Sequence, residues 1–175
     1  MEYVHYMELA LEQAKKAFDM GEFPVGCVIV QNERVIAGGA RKGTTMDRPF
    51  FSEIDHAEIR ALRSLEKADI QFEPEKSILF CTMEPCLMCF GAIILSGIKK
   101  IVYAYEDPMG GGTTCDLKKM PLLYQKSEID IVSGVLRQKS LDLFYDFFNK
   151  ETNLYWKNSY LEMYTLDQKK REISK

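Results

Sequence analysis

The chain has 175 residues, 46% of them hydrophobic and 28% charged, and a formal net charge of −3 at pH 7, values typical of a soluble globular protein with a single domain. No apolar run approaches the roughly 20 residues that span a bilayer, and the N-terminal residues lack the basic flank and apolar block of a signal peptide. Proteins that bind phosphates usually carry an excess of Lys and Arg, so the charge balance argues against a general nucleic-acid-binding role, although a local basic patch could exist.

The first third of the chain predicts a helix, a β-hairpin and a long loop. Apolar residues recur at spacings of three and four over residues 3–19, which is typical of an amphipathic helix. The near-continuous apolar run at residues 25–30 indicates a strand covered on both faces. A second strand follows at residues 34–37, and we expect it to end at Gly38-Gly39. Residues 40–55 are irregular, and the length of this loop favours a functional role.

The rest of the chain alternates helices and strands. We expect a helix at residues 56–67 capped by Ser52 or Asp55, a helix at 86–96 buried on more than one side, and a helical tail at 152–166. The other predicted elements are strands at residues 77–82, 99–105 and 128–132, a loop at 107–114 and a helix at 136–148. This order predicts a central mixed sheet with helices on both faces.

A Cys-x-x-Cys motif, formed by Cys86 and Cys89, opens one of the predicted apolar helices, where both sulfurs can point at one position. His56 would complete three protein ligands, which suits a catalytic zinc that keeps its fourth position for water. The motif alone is also compatible with a redox pair or half of a zinc ribbon. The chain has no second Cys-x-x-Cys, which excludes a four-cysteine ribbon, and a redox pair would not require His56-Ala57-Glu58.

The other cysteines are Cys27, Cys81 and Cys115. Five cysteines are an odd number and a poor framework for disulfides in a chain of this length. We therefore expect reduced thiols, which fit a cytoplasmic location best.

Glu58 lies two residues after His56, where its carboxylate could move the protons of a water at the fourth zinc position. A lone glutamate is more often a solvated helix residue. Opposite a zinc site, it would take a proton from the water and return it to a ring nitrogen and a departing amine. Pro85 suits a first helical turn and forces Glu84 to be extended, so we expect both to be positional.

His-x-Glu at residues 56–58, followed by Pro-Cys-x-x-Cys at 85–89, resembles the zinc-dependent nucleobase deaminases of the cytidine/deoxycytidylate deaminase superfamily. The similarity is greatest to the group of bacterial tRNA adenosine deaminases and guanine deaminases, and it extends from the first helix to about Lys150. It includes Phe23-Pro24-Val25-Gly26, Met83-Glu84-Pro85-Cys86, Asp107 and the segment 143–148.

This resemblance implies a three-layer α/β/α sandwich with a central five-stranded mixed sheet, a zinc cofactor and a homodimer. Residues 1–150 would form the cytidine deaminase-like zinc catalytic domain, and residues 151–175 a C-terminal helical extension of it. The expected site has Glu58 as the catalytic residue, His56, Cys86 and Cys89 as zinc ligands, and Arg41, Ala57, Glu84 and Asp107 as candidate substrate-binding residues.

Two features depart from the family pattern. By simple register, Arg41 takes the place of an asparagine that reads the substrate base. Arginine only donates hydrogen bonds, so it suits a carbonyl, phosphate or carboxylate; alternatively, the long loop shifts the register and Arg41 is solvated. Phe50 and Phe51 in this loop could stack on a base or pack inward. From Glu151 the tail has five Lys and Arg and four Asp and Glu, and we expect it to pack on its own domain or across a dimer.

The sequence predicts a zinc hydrolase that converts a ring amino group of a nucleobase, nucleoside or nucleotide to a carbonyl and releases ammonia. The acidic charge, the balanced tail and Arg41 favour a small-molecule substrate. The alternative is a tRNA-specific adenosine deaminase that forms inosine at the wobble position. An alternative of another class is a non-catalytic zinc-binding subunit that helps a partner bind RNA, but such a subunit has no need of Glu58.

Overall fold

A five-stranded mixed sheet forms the centre of the molecule. The computed structural model describes residues 2–45, 51–68 and 70–173. The strands are β1 (Gly26–Gln31), β2 (Arg34–Ala40), β3 (Ser77–Met83), β4 (Lys100–Tyr105) and β5 (Asp130–Val132). Their order is β2-β1-β3-β4-β5; β1 is antiparallel to β2 and β3, whereas β3, β4 and β5 are parallel.

Helices cover both faces of the sheet. They are α1 (Tyr3–Asp19), α2 (Ala57–Glu66), α3 (Leu87–Ser96), the short α4 (Leu122–Gln125), α5 (Arg137–Phe148) and α6 (Tyr160–Ile173), with 3₁₀ turns at Pro74–Lys76 and Leu117–Lys119. Helices α2 and α3 pack on one face, and α1 packs on the opposite face and contacts α5. The predicted three-layer α/β/α fold is therefore confirmed. In the described part of the chain, no helix is long and apolar enough to cross a membrane.

Alternate side chains of β1 enter two separate cores. Cys27 and Ile29 point to the side of α2 and α3, where Phe90 belongs to the same cluster. Val28 points the other way and packs with Met7 of α1. Because side chains alternate along a strand and both faces are covered, the whole of β1 is buried, which explains its continuous apolar sequence.

Strand β2 continues to Ala40, so the prediction that Gly38-Gly39 ends it is wrong. Glycine is usually depleted in strands, but here the missing side chain lets a helix approach closely. A Cβ atom on Gly39 would lie 2.2 Å from the carbonyl oxygen of Ala57 in α2. Gly39 therefore allows α2 to lie directly on the edge strand.

Helix α3 is less buried than the sequence predicts. Phe90 and Ile93 face the core, but Leu87, Met88 and Leu95 are 55%, 38% and 61% exposed. A helix rich in apolar residues on every side can be enclosed by its own chain or can keep an apolar face for a partner, and its sequence does not distinguish the two. One apolar side of α3 therefore remains uncovered in the single chain.

The tail begins its helix later than the sequence predicts. Helix α6 starts at Tyr160 and not at residue 152, and residues 149–159 form an irregular connecting segment between α5 and α6. Within it, Asn153 Oδ1 accepts the Tyr155 N–H at 2.9 Å, and Asn153 Nδ2 donates to the Tyr155 carbonyl at 3.2 Å. Such local side-chain bonds to the backbone compete with a helix, and apolar spacing does not reveal them.

The carboxyl ends of β2, β3 and β4 meet at one edge of the sheet because these strands run in the same direction. The chain leaves this edge shortly before Arg41, Cys86 and Asp107. The loop after β2 also leads to the start of α2. The topology thus brings the predicted site residues to one edge, where ligands bind in open α/β sheets.

Candidate active site

The three predicted zinc ligands lie together at the starts of two helices. His56 is the N-cap of α2, Cys86 is the N-cap of α3, and Cys89 lies in the first turn of α3. His56 Nδ1 is 3.5 Å from Cys86 Sγ and 3.4 Å from Cys89 Sγ, and the three ligand atoms lie within 4.8 Å of one another. Tetrahedral zinc, with bonds of about 2.0 Å to nitrogen and about 2.3 Å to sulfur, places these atom types about 3.5 Å apart. The donor set therefore fits a zinc ion held through His56 Nδ1.

The surroundings of Cys86 favour its thiolate. A hydrogen bond from the Cys89 thiol, aided by one from His56 and opposed by burial, lowers the pKa of Cys86 to about 4. The start of α3 contributes in the same sense, because free N–H groups at a helix N-terminus stabilise negative charge. Zinc binds thiolates and not thiols, so the lowered pKa of Cys86 favours metal binding by this residue.

The start of α2 differs from the predicted cap. His56 and not Ser52 or Asp55 occupies the N-cap position. Asp55 instead accepts a hydrogen bond from Arg60 Nη1 at 2.9 Å, and Ser52 Oγ accepts the Asp55 N–H at 3.2 Å. The side chains expected to cap the helix therefore stabilise the loop that leads into it.

Glu58 is buried beside the donors and has a carboxylate oxygen without a partner. It is 3% exposed, and among the described residues its Oε2 has no hydrogen-bond partner. Burial raises the pKa of Glu58, so it accepts a proton more readily than a surface glutamate does. An unpaired buried oxygen is unfavourable in a purely structural residue, and it suits a group that exchanges protons with water or substrate.

A cavity of about 430 Å³ opens beside these groups. His56, Cys86 and Glu58 all line it, so the zinc donors and the candidate acid–base residue face the same space. The volume lies in the range of small-ligand sites. The arrangement can hold a substrate ring next to a metal ion and a proton-accepting carboxylate.

Three of the four candidate substrate-binding residues line this cavity: Arg41, Glu84 and Asp107. Ala57 is not among the residues that line it, and its side chain is fully buried. A contact between Ala57 and substrate would therefore have to use its backbone.

Arg41 is buried and not solvated, with 3% of its surface exposed. Its Nη1 donates to the Lys42 carbonyl at 2.7 Å, its Nη2 donates to the Ser52 carbonyl at 2.8 Å, and Glu53 Oε2 lies 3.7 Å from Nη2. The guanidinium thus joins Lys42 to Ser52 and Glu53. The interpretation that leaves Arg41 in solvent is wrong, and its part in reading the substrate stays a prediction.

Glu84 holds the loop that follows β4. Its Oε1 accepts the Thr113 N–H at 3.2 Å and the Thr113 hydroxyl at 2.5 Å, and its Oε2 accepts the Asp107 N–H at 3.2 Å. Asp107 Oδ1 accepts the N–H groups of Met109 and Gly110, both at 2.9 Å. The carboxylate of Glu84 is therefore engaged by this loop, in agreement with a positional role.

Sequence reasoning missed one wall of the cavity, formed by Glu53, Tyr155 and Trp156. The Tyr155 hydroxyl donates to Glu53 Oε2 at 2.9 Å, and its ring centroid lies 6.0 Å from that of Phe51. Phe50, predicted together with Phe51 as a residue that could stack on a base, lies outside the described residues. The spacing of the tail aromatics is also that of a helix face, so the sequence carries no signal for this wall.

Comparison with known proteins gives the family of the chain. Residues 1–105 match the family model of the cytidine and deoxycytidylate deaminase zinc-binding region. Over 148 residues, the chain is 36% identical to the tRNA-specific adenosine deaminase of Bacillus subtilis (strain 168), covering 83% of this chain and 88% of that protein.

Two solved structures extend the comparison. One comes from studies of A-to-I editing by tRNA:A34 deaminases at the wobble position of transfer RNA, with 31% identity and a TM-score of 0.67 over 79% of this chain and 98% of that chain. The other is guanine deaminase from Bacillus subtilis, with 33% identity and a TM-score of 0.52 over 61% of this chain and 66% of that chain. The chain therefore belongs to the cytidine and deoxycytidylate deaminase family and is a zinc-dependent hydrolytic deaminase.

Proposed function

We propose that this deaminase acts on adenosine in tRNA and converts it to inosine, the function predicted above as the alternative to a small-molecule substrate. The observation that carries the proposal is the buried Glu58 carboxylate, whose Oε2 has no hydrogen-bond partner among the described residues and which faces the same cavity as the zinc donors. The name of the Bacillus subtilis relative supports adenosine in tRNA as the substrate, because its similarity spans most of both chains.

In this reaction water replaces the amino group at C6 of adenine, so a C–O bond forms, the C–N bond breaks and ammonia leaves. When bound, zinc lowers the pKa of water toward about 7 and so supplies a nucleophile at neutral pH. Glu58 accepts a proton from the water and delivers it to ring nitrogen N1 beside the reacting carbon. A second transfer through the same carboxylate reaches the departing amino group. The raised pKa of Glu58 supports this role, because the residue must hold a proton between transfers.

The remaining candidates have different parts in the proposal. Arg41 and Asp107 contact the substrate from the cavity wall, and Ala57 does so only through its backbone. Glu84 acts indirectly by holding the loop that carries Asp107.

The test is inosine formation in a synthetic anticodon stem-loop with adenosine at the wobble position, measured by mass spectrometry at physiological salt. The zinc-loaded chain should convert it, and Glu58→Ala should retain zinc but form no inosine. Glu66→Ala, an exposed glutamate at the other end of α2, is the matched control and should react normally. A zinc-loaded chain that leaves the adenosine unchanged would refute the proposal.

A free aminopurine base or nucleoside is a second candidate, and the cavity volume of about 430 Å³ favours it because that volume is typical of small-ligand sites. The net charge of −3 also favours a free base or nucleoside over RNA, because RNA binding relies on contacts between basic side chains and phosphates. Ammonia release from guanine, adenine and adenosine tests this candidate. Activity on an RNA substrate should fall steeply with salt, whereas activity on a neutral nucleoside should not.

We also propose a homodimer formed through α3. Its uncovered apolar side chains, Leu87, Met88 and Leu95, support such an interface because contiguous exposed apolar surface is uncommon on monomers. A tRNA substrate supports a cytoplasmic location.

Residues 151–175 are proposed to extend the domain of residues 1–150 and not to form a unit of their own. Leu161 is 2% exposed and belongs to the main core, and the hydroxyls of Thr165 and Tyr105 lie within hydrogen-bonding distance at 3.2 Å. Limited proteolysis should therefore release no stable fragment of residues 1–150 before the whole domain unfolds.

A further inference from the structure

One polar cluster joins two segments of the chain within one wall of the cavity. The Tyr155 hydroxyl, in the connecting segment at residues 149–159, donates to Glu53 Oε2 at 2.9 Å. Arg41 Nη2 lies 3.5 Å from the same hydroxyl and 3.7 Å from Glu53 Oε2. Arg41 is itself fixed by the carbonyl of Ser52. Arg41 and Glu53 are therefore linked to the connecting segment through Tyr155.

Aromatic contacts set the position of this link. The Tyr155 ring lies 5.3 Å from Phe23, 6.0 Å from Phe51 and 5.7 Å from Trp156 between centroids. These contacts would remain if the hydroxyl were removed, because they depend on the ring alone. The hydroxyl can therefore be tested separately from the packing.

Trp156 is held in an unfavourable conformation where it lines the cavity. Its φ is +53°, a left-handed value that bulky residues rarely adopt. Such outliers persist only where the surrounding structure enforces them, and they concentrate at functional sites. Two bonds between Asn153 and the Tyr155 backbone hold the turn just before it. The connecting segment is thus built to present an aromatic wall to the cavity.

We propose that the hydrogen bond between Tyr155 and Glu53 selects substrates by size. With the bond formed, the cavity admits a free purine base or nucleoside; a nucleotide within an RNA chain, which has backbone on both sides, enters only when the bond breaks and the connecting segment moves away. The inference rests on the proposed function, since it concerns access to the same site. It makes Tyr155 and Glu53 residues that determine specificity without taking part in the chemistry.

Kinetics of the zinc-loaded full chain test the proposal. For Tyr155→Phe, the ratio of kcat/KM on the anticodon stem-loop to kcat/KM on adenosine should rise about 3- to 10-fold, the range expected for one hydrogen bond. Glu53→Ala should raise the ratio at least as much, because it removes this bond and also the contact with Arg41, and adding Tyr155→Phe to it should raise the ratio no further. Tyr160→Phe is the matched control: this tyrosine of α6 is 54% exposed and does not line the cavity, so the ratio should not change. An unchanged ratio in Tyr155→Phe, or additive effects in the double variant, overturns the proposal.

Fluorescence supplies a readout that does not depend on turnover. Trp156 is the single tryptophan of the chain, so its emission reports the connecting segment directly. In the zinc-loaded Glu58→Ala background, binding of the stem-loop should shift the emission to longer wavelength, and adenosine should not. A stem-loop that binds without this shift, or that binds no better after Tyr155→Phe, overturns the inference. Loss of the proposed function is seen separately, as failure of the unaltered chain to form inosine.

Discussion

Replacing Gly39 by alanine tests whether the contact between α2 and β2 positions the zinc donors. The new Cβ would lie 2.2 Å from the carbonyl oxygen of Ala57 and 2.6 Å from the backbone nitrogen of Ala61. Carbon and oxygen atoms rarely approach closer than about 3.3 Å, so α2 must move by about 1 Å or more. His56 and Glu58 lie at the end of α2 that must move.

The size of the effect follows from this displacement. Overpacking of a tight contact costs about 1–3 kcal/mol, which lowers the melting temperature by about 2–12 °C in a domain of this length. A shift of about 1 Å in a catalytic group costs about 100-fold in rate. Because the shift displaces His56 relative to Cys86 and Cys89, zinc should also bind more weakly.

The assay combines zinc content by mass spectrometry after dialysis, thermal unfolding and deaminase rate. Gly38→Ala is the matched control: it alters the neighbouring residue of the same strand, but its Cβ would lie 3.5 Å from the Cys27 carbonyl oxygen, an ordinary contact. Gly38→Ala should resemble the unaltered chain in all three measurements. If Gly39→Ala did so as well, the reasoning that α2 is positioned by this contact would be refuted.

Four further predictions concern single side chains. Glu58→Gln should lower kcat by about 10²- to 10⁴-fold while metal analysis still finds zinc, because the amide cannot carry the proton; loss of zinc would contradict this role. Cys86→Ser should lose zinc, since a hydroxyl is a poor substitute for a thiolate; near-stoichiometric zinc in this variant would exclude Cys86 as a ligand. Leu95→Glu should convert a dimer to a monomer by light scattering, and an unchanged mass would place the interface elsewhere. Partial burial raises the pKa of Glu106, but hydrogen bonds from Arg137 have the larger effect in total and lower it. The ionised Glu106 therefore stabilises the folded protein above about pH 4.3, and this stabilisation is lost as the pH falls through the folded-state pKa. Urea unfolding should therefore show Glu106→Gln to be less stable than the unaltered chain at pH 7, with a difference that shrinks as the pH falls through the folded-state pKa of Glu106; a difference that stays constant with pH would contradict this sign.

The zinc site could be predicted from the sequence because its geometry is mostly local. Cys86 and Cys89 lie one helical turn apart, and the need for thiolates and an imidazole does not depend on the rest of the fold. The buried strand β1 could be predicted from the sequence as well, because burial on both faces of the sheet requires a continuous apolar run.

The parts that could not be predicted depend on contacts between distant segments. In the sequence, Gly39 looks like the end of a strand, and only the close packing of α2 in the folded chain explains the glycine. The surroundings of Arg41 require Tyr155, which is 114 residues away along the chain, and no periodicity reports such a contact. Tyr155 itself lies in a turn held by Asn153, whose side chain overrides the helical spacing of the tail.

Helices α2 and α3 each begin at a predicted metal ligand, and this arrangement makes the helix starts less stable. Ser, Thr, Asp or Asn at an N-cap stabilises a helix by about 1 kcal/mol, but His56 and Cys86 hold these positions and make no capping hydrogen bond. Zinc bound to both residues would connect the two helix starts and offset that loss. The stability of the first turns of α2 and α3 would therefore depend on the ion more strongly than the stability of the sheet does. When zinc becomes scarce, we expect the enzyme to lose the order of its catalytic edge first. The supply of the metal would then regulate activity at concentrations that leave the rest of the protein folded.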